Sequence, residues 1–187
     1  MTSSTAVQIP GYVVGTWDID AAHSTVGFSV RHMMVSKVRG YFRDFSGEIV
    51  TAEDPAQSSV TARVNMDSID TRQEQRDAHI RSADFFDVGN FTEMTFRSTG
   101  VRAEGADWHV DGELTIKGIT KPVTLELELN GFGPDAYGGT RAGFTAKTTI
   151  DRNDFGVDIY MPMDGGGVVV GDKISIELEI EAVLRTA

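Results

Sequence analysis

The sequence predicts an all-β fold: a single antiparallel barrel of about eight strands with one short polar helix at its rim. Three observations carry that expectation. Apolar and polar residues alternate with period two along much of the 187-residue chain, the pattern of strands that bury one face. Turn-forming residues separate the alternating runs. Several runs also exceed the usual strand length of about 5 to 6 residues, which favours a tilted sheet that closes on itself over a compact sandwich.

Residues 1–12 read as an N-terminal tail and 13–187 as one domain. Strands are predicted over 13–20, 25–33, 38–52, 58–68, 93–103, 108–117, 121–132, 141–150 and 173–185. Val26, Phe28 and Val30 form the first clear apolar face, and Val60, Ala62, Val64 and Met66 the next. Between them and the later strands, Thr71 followed by Glu74 fits a capping box and predicts a helix over 72–82. Its only apolar side chains are Ala78 and Ile80, so it belongs on a rim with most of its surface wet. Trp108, Val110, Leu114 and Ile116 share the parity of Gly112; Val123, Leu125, Leu127 and Leu129 alternate with Thr124, Glu126, Glu128 and Asn130. The last strand sets Ile174, Ile176, Leu178, Ile180, Ala182 and Leu184 against a largely acidic opposite face. Turn signals at 104–107, at Lys117-Gly118 and from Asn130-Gly131 to Gly138-Gly139 make neighbouring strands antiparallel. No internal repeat or linker divides the chain.

Composition narrows the function. Lys and Arg number 17 against 28 Asp and Glu, a formal charge of -11 at pH 7, so the summed field repels a nucleic-acid backbone, and no basic stripe is visible to overcome it. No apolar run approaches the length of a membrane-spanning helix. The absence of Cys excludes disulfides, thiolate metal sites, iron–sulfur clusters and a cysteine nucleophile. Residues 1–10 carry no Lys or Arg and no apolar core of signal-peptide length, so cytoplasmic residence is expected.

A barrel of about eight strands is either filled by side chains or able to hold one small ligand. The inward candidates are all apolar: Phe28, Val30, Leu125, Leu127, Ile176 and Leu178 are the expected lumen residues. The 20 glycines leave room, and the apolar stretch Tyr160-Met161-Pro162-Met163 offers Met161 and Met163 as entrance residues, methionine being adaptable to irregular apolar shapes. A core packed solid stays open as the alternative.

The ordered blocks Trp17-Asp18-Ile19-Asp20, His23 to His32, Gly40-Tyr41-Phe42, Asp67 to Thr71, Arg76-Asp77-Ala78-His79-Ile80, Asp84-Phe85-Phe86-Asp87, Gly112 to Val123, Ile150 to Gly156 and Gly171-Asp172 resemble the YceI-like, polyisoprenoid-binding family. The resemblance runs from about residue 13 to the C-terminus. It implies a lipocalin-like antiparallel barrel that carries a long isoprenoid or similar lipid in its lumen, usually as a homodimer, with no established catalytic reaction and no cofactor. Transport of such cargo also implies transient encounters with a membrane.

A diphosphate head would need donors at the mouth, and 12 of the 17 basic residues are Arg, the side chain suited to bidentate phosphate contacts. Arg72, Arg76 and His79 fall at helical spacing and are expected to share a face, with His23 and Ser24 as polar neighbours. A solvated helix whose arginines pair with acids is the competing reading. The histidines have no HExxH or His-x-His spacing, so no metal site is expected. The rival from another class is a lipid-ester or diphosphate hydrolase using Ser24 beside His23, but adjacent strand residues point to opposite faces, and neither GxSxG nor GxxxxGK[ST] occurs.

Overall fold

The computed structural model of the protein describes residues 8–105, 107–159 and 170–186. The alternating runs become strands of one antiparallel sheet: β1 (Gly15–Ile19), β2 (Thr25–His32), β3 (Ser36–Phe42), β4 (Phe45–Thr51), β5 (Ser59–Asn65), β6 (Ile69–Asp70), β7 (Glu93–Glu104), β8 (Asp107–Ile116), β9 (Ile119–Pro134), β10 (Thr140–Asp151) and β11 (Val170–Leu184). The single α-helix, α1, spans Glu74–Arg81. The sheet closes because β11 pairs with β1 as well as with β2 and β10. Along β11, Trp17 lies opposite Leu184 and Val26 opposite Leu178, so β1 and β2 form one interrupted stave; β3 and β4 form the next beside them. Counted this way the barrel has 8 staves.

Two predicted strands are corrected by local hydrogen bonding. The run 38–52 breaks after Phe42, where Arg43 N donates to Ser68 O at 3.2 Å and Asp44 O accepts from Asn65 N at 2.9 Å. The run 58–68 ends at Asn65, whose side chain accepts from Asp67 N and caps a tight turn over Met66–Ser68. That turn delivers β6 to the edge of β3.

The helix start is corrected as well. Arg72 adopts a left-handed φ of 64°, which turns the chain before the helix, and Gln73 becomes the cap, its side chain accepting from Arg76 N at 3.0 Å. Thr71 is buried instead: its backbone N–H and its hydroxyl both donate to the buried carboxylate of Asp77, the amide at 2.9 Å. A charge held this far from water requires such donors, and here they bind α1 to the strand it follows.

Side chains on the outer face pair along the staves, as Arg185 does with Asp18 at 2.7 Å and Glu48 at 2.8 Å, and Arg102 with Asp111 at 2.9 Å. Such exposed pairs each contribute little. The apolar face gathers into three clusters: Trp17 with Ala142, Phe144 and Ala182; Phe42 with Val64, Met66, Ile69 and Val88; and Leu114 with Ile116, Ile150 and Phe155. Trp17 is wholly buried, and its Nε1–H donates to Thr51 Oγ1 at 2.9 Å.

Two strands change sides part-way. Across the register shift at Thr99, the inward set of β7 passes from Met94 and Phe96 to Val101; across Asn130, that of β9 passes from Leu127 and Leu129 to Phe132. One extra residue in a strand moves everything beyond it to the other face.

Candidate functional site

The three clusters do not meet in the middle of the barrel. Leu125, Ile176 and Leu178 point inward yet are only half-buried, because the space they face is empty rather than filled by the opposite wall. A cavity of about 210 Å³ lies against Ile49, Val60, Trp108, Leu125, Leu127 and Leu178. A second, of about 410 Å³, lies against Phe28, Val30, Val38, Phe42, Ile80 and Phe86. Both include Val26, Met94 and Ile176 in their walls, so they adjoin along the barrel axis. Ligand sites commonly enclose roughly 300–1,000 Å³.

At two positions the room that glycine leaves is taken up by an aromatic ring. A Cβ on Gly40 would stand 2.3 Å from the Phe28 ring, and one on Gly112 would stand 2.4 Å from the Phe96 ring. Both rings line the lumen, Phe96 the first cavity and Phe28 the second, so these two glycines let an aromatic ring settle against the neighbouring strand where a side chain would push it inward.

The two cavities differ in their polar fringe. Arg63, already 3.7 Å from Glu93, is the one charged side chain at the first among the described residues. The second is fringed by Arg31, His32, Gln73, Gln75, Arg76 and His79, with Arg152 beyond them and no carboxylate among the described lining residues. Arg76 donates through Nε to Thr71 Oγ1 at 2.8 Å and through Nη2 to Thr71 O at 2.7 Å, while its Nη1 has no partner among the described residues. The guanidinium is thereby aimed but not saturated. His79 Nε2 lies 3.1 Å from Asp84, and its ring stands edge-on to Phe85 at 4.9 Å. Arg152 is buried and spends its donors on Gly171 O at 3.0 Å, Val157 O at 2.7 Å and Asp172 at 3.2 Å, which makes it an anchor for the strand ends around the opening.

Of the residues singled out from sequence, Leu125, Leu127 and Leu178 face the first cavity, Phe28 and Val30 the second, and Ile176 both. Arg76 and His79 come together at the second cavity. Arg72 does not join them: its left-handed backbone puts it outside the helix, exposed and away from both cavities. His23 and Ser24 line neither cavity. The Ser24 hydroxyl donates to Glu181 O at 3.2 Å and accepts from Glu181 N at 3.0 Å, which fastens the β1–β2 junction to β11. Met161 and Met163 lie outside the described residues. Sequence reasoning passed over Arg31, His32 and Gln73 as site residues; the signal for the first two was their position at the end of the β2 alternation.

His23 instead joins Asp20 at 2.8 Å and Glu181 at 3.5 Å, three groups close enough to suggest a cation site. Arg141 already supplies the positive charge there, with Nη1 2.8 Å from Asp20 and 2.7 Å from Glu181 and Nε 3.0 Å from Asp135. The hydrogen bond from Arg141, helped by that from His23, holds the Asp20 carboxyl down to about 2.

A closed antiparallel barrel with an unfilled apolar lumen defines a class of proteins that hold small apolar ligands. The YceI-like domain model matches residues 17–182, and the chain belongs to that family. It is 42% identical over 182 residues to the UPF0312 protein of Shewanella oneidensis, covering 96% of this chain and 91% of the relative. It is 42% identical over 141 residues to Protein YceI of Salmonella newport, covering 75% and 74% respectively. Among solved structures, Burkholderia cenocepacia BcnA superposes with a TM-score of 0.75 at 25% identity over 87% of this chain and 98% of that one. A polyisoprenoid binding domain from Saccharophagus degradans superposes with a TM-score of 0.67 at 14% identity over 92% and 100%, a likeness of fold. Family and fold together support a binding role.

Proposed function

We propose that this protein binds and carries a polyisoprenoid or similar long-chain amphiphile without catalysing a reaction on it. The tail lies in the two adjoining cavities, and an anionic head rests near Arg76 and His79. The observation that carries the reading is the unfilled apolar lumen that opens among cationic side chains. At roughly 0.8 kcal/mol per buried methylene a long tail has ample gross driving force, part of it offset by the cost of ordering and association. Arg76, braced by Thr71 and with Nη1 unpaired among the described residues, suits a phosphate oxygen.

The hydrolase reading loses ground on geometry: the Ser24 hydroxyl is engaged by the Glu181 backbone, and Ser24 lines neither cavity. Transport as the biological role, the cytoplasm as the compartment and a homodimer as the assembly belong to the same proposal. Cell fractionation and light scattering check the last two. The decisive experiment is organic extraction of the purified protein followed by mass spectrometry, together with titration of a fluorescent apolar probe. A lipid near one per chain, or saturable probe uptake that this lipid displaces, is the expected result. An empty extract with no probe uptake would overturn the reading.

A further inference from the structure

The hairpin joining β2 to β3 is built against its own preferences. Its turn closes with Val35 N donating to His32 O at 3.3 Å, and the two central residues, Met33 and Met34, both hold left-handed φ angles, 52° and 61°. Turns of that shape usually carry Asn-Gly or Gly-Gly, because a side chain with a Cβ is strained there. Burial does not compensate: Met33, Met34 and Val35 are 45%, 49% and 87% exposed. Below the turn, Arg31 lies directly opposite Lys37 in the strand register, a like-charge pair that weakens a hairpin. Backbone strain, exposed apolar side chains and facing cations thus converge on one tip, and the only side-chain bonds returned there are long ones, Arg31 Nη1 to Met34 O and Ser36 Oγ to His32 O, both at 3.4 Å, among the described residues. Strain of this kind points toward function.

The charge around the tip is equally distinct. Residues 31–39 hold Arg31, Lys37 and Arg39 and no acid, in a chain with 28 Asp and Glu. None of the three cations is paired with a carboxylate among the described residues, and all are exposed. The same hairpin borders the opening of the lumen, since Val30, Arg31, His32 and Val38 line the second cavity.

We propose that this tip docks on an anionic lipid bilayer, with Met33, Met34 and Val35 set among the head groups and Arg31, Lys37 and Arg39 on lipid phosphates, so that the lumen opens at the membrane surface. The proposal deepens the lumen reading above and rests on it for its purpose. Apolar insertion plus a basic flank is the two-signal form of reversible membrane binding. The acidic remainder of the molecule does not cancel it, because charge farther than about 8 Å is largely screened at physiological salt, and Asp172 on the neighbouring strand is held by Arg152 at 3.2 Å. A second copy is a poorer occupant, since two tips would bring like cations together.

The test uses the full chain in flotation with phosphatidylglycerol vesicles and with phosphatidylcholine vesicles. Binding is expected to the first and not the second, and to fall as salt rises. The pair Lys37→Ala and Arg39→Ala should weaken it roughly 25-fold, about fivefold per charge. Met33→Asn with Met34→Gly gives the turn the residues it favours, so it should raise the melting temperature while weakening vesicle binding, a combination that a merely structural role would not produce. Uptake of a fluorescent apolar probe in free solution should be unchanged in both variants. Failure of the wild type to float with phosphatidylglycerol, wild-type flotation by both variants, or an effect seen as a change of mass in sedimentation and not as lipid binding would overturn the docking proposal. Flotation without probe uptake would uphold docking and remove the lumen reading alone.

Discussion

The two ends of the lumen are unlike. Around Trp17 the barrel is packed: Phe132 meets Tyr12, Trp17 and Phe144 edge-on at 5.5, 5.7 and 6.0 Å, and among the described residues the cavity beside them carries Arg63, paired with Glu93, as its one charged neighbour. Around α1 the space is larger, and its fringe is arginine, histidine and glutamine. Tyr12 anchors the chain ahead of β1 by donating its hydroxyl to Ala52 O, so residues before the first strand contribute to the wall. The difference assigns a direction. An apolar tail loses nothing by passing toward Trp17, whereas a charged head would have to leave water there without partners, a large cost.

That contrast can be broken most forcefully through stability. Trp17→Ala should cost about 3–5 kcal/mol in denaturant unfolding, since it empties a filled site and removes one of the two N–H donors to Thr51 Oγ1. Leu125→Ala, on the hollow stretch, should cost only about 1 kcal/mol, because no new cavity is made where one already exists. Equal losses at the two positions would mean that the lumen is filled in solution.

Ligand measurements sharpen the same contrast. Ala146 is buried against the first cavity, and Ala146→Phe should weaken long-chain binding by about a hundredfold, roughly the loss of a few buried methylenes, with a much smaller effect on short chains. Isothermal titration across chain lengths reads that split. At the other end, Arg76→Ala should weaken a phosphate-headed amphiphile about tenfold, the worth of a charge-assisted hydrogen bond, and leave the corresponding neutral alcohol unchanged. Arg72→Ala, outside the cavity, should do neither. A loss at Arg72 equal to that at Arg76 would remove the helix from the head site.

The smallest expected effect concerns pH. Arg141 and His23 hold Asp20 below its ordinary value of 3.8, down to about 2. Because the folded pKa is the lower one, the stabilisation is complete above the ordinary value and fades as pH falls toward 2. Asp20→Asn should therefore flatten the decline of unfolding free energy across that window, with little change at neutral pH.

The sequence alone determined the all-β class, the barrel, the polar helix, the family and the apolar character of the inward face, because strand alternation and turn chemistry are local properties. Its lumen residues, from Phe28 to Leu178, were legible for the same reason: each lies on a stretch where period two holds unbroken. Tertiary structure decided the rest. The switch of face at Thr99 and Asn130 depends on one unpaired residue that alternation does not reveal. Arg72 left the helix because its backbone turns left-handed to let Thr71 reach Asp77, a contact across six residues. Ser24 stays out of the cavity walls because its hydroxyl is tied to the backbone of Glu181, 157 positions away. Most of all, a hollow lumen and a filled core share the same apolar alternation; only the diameter of the closed sheet, set by the pairing of β1 with β11, separates them.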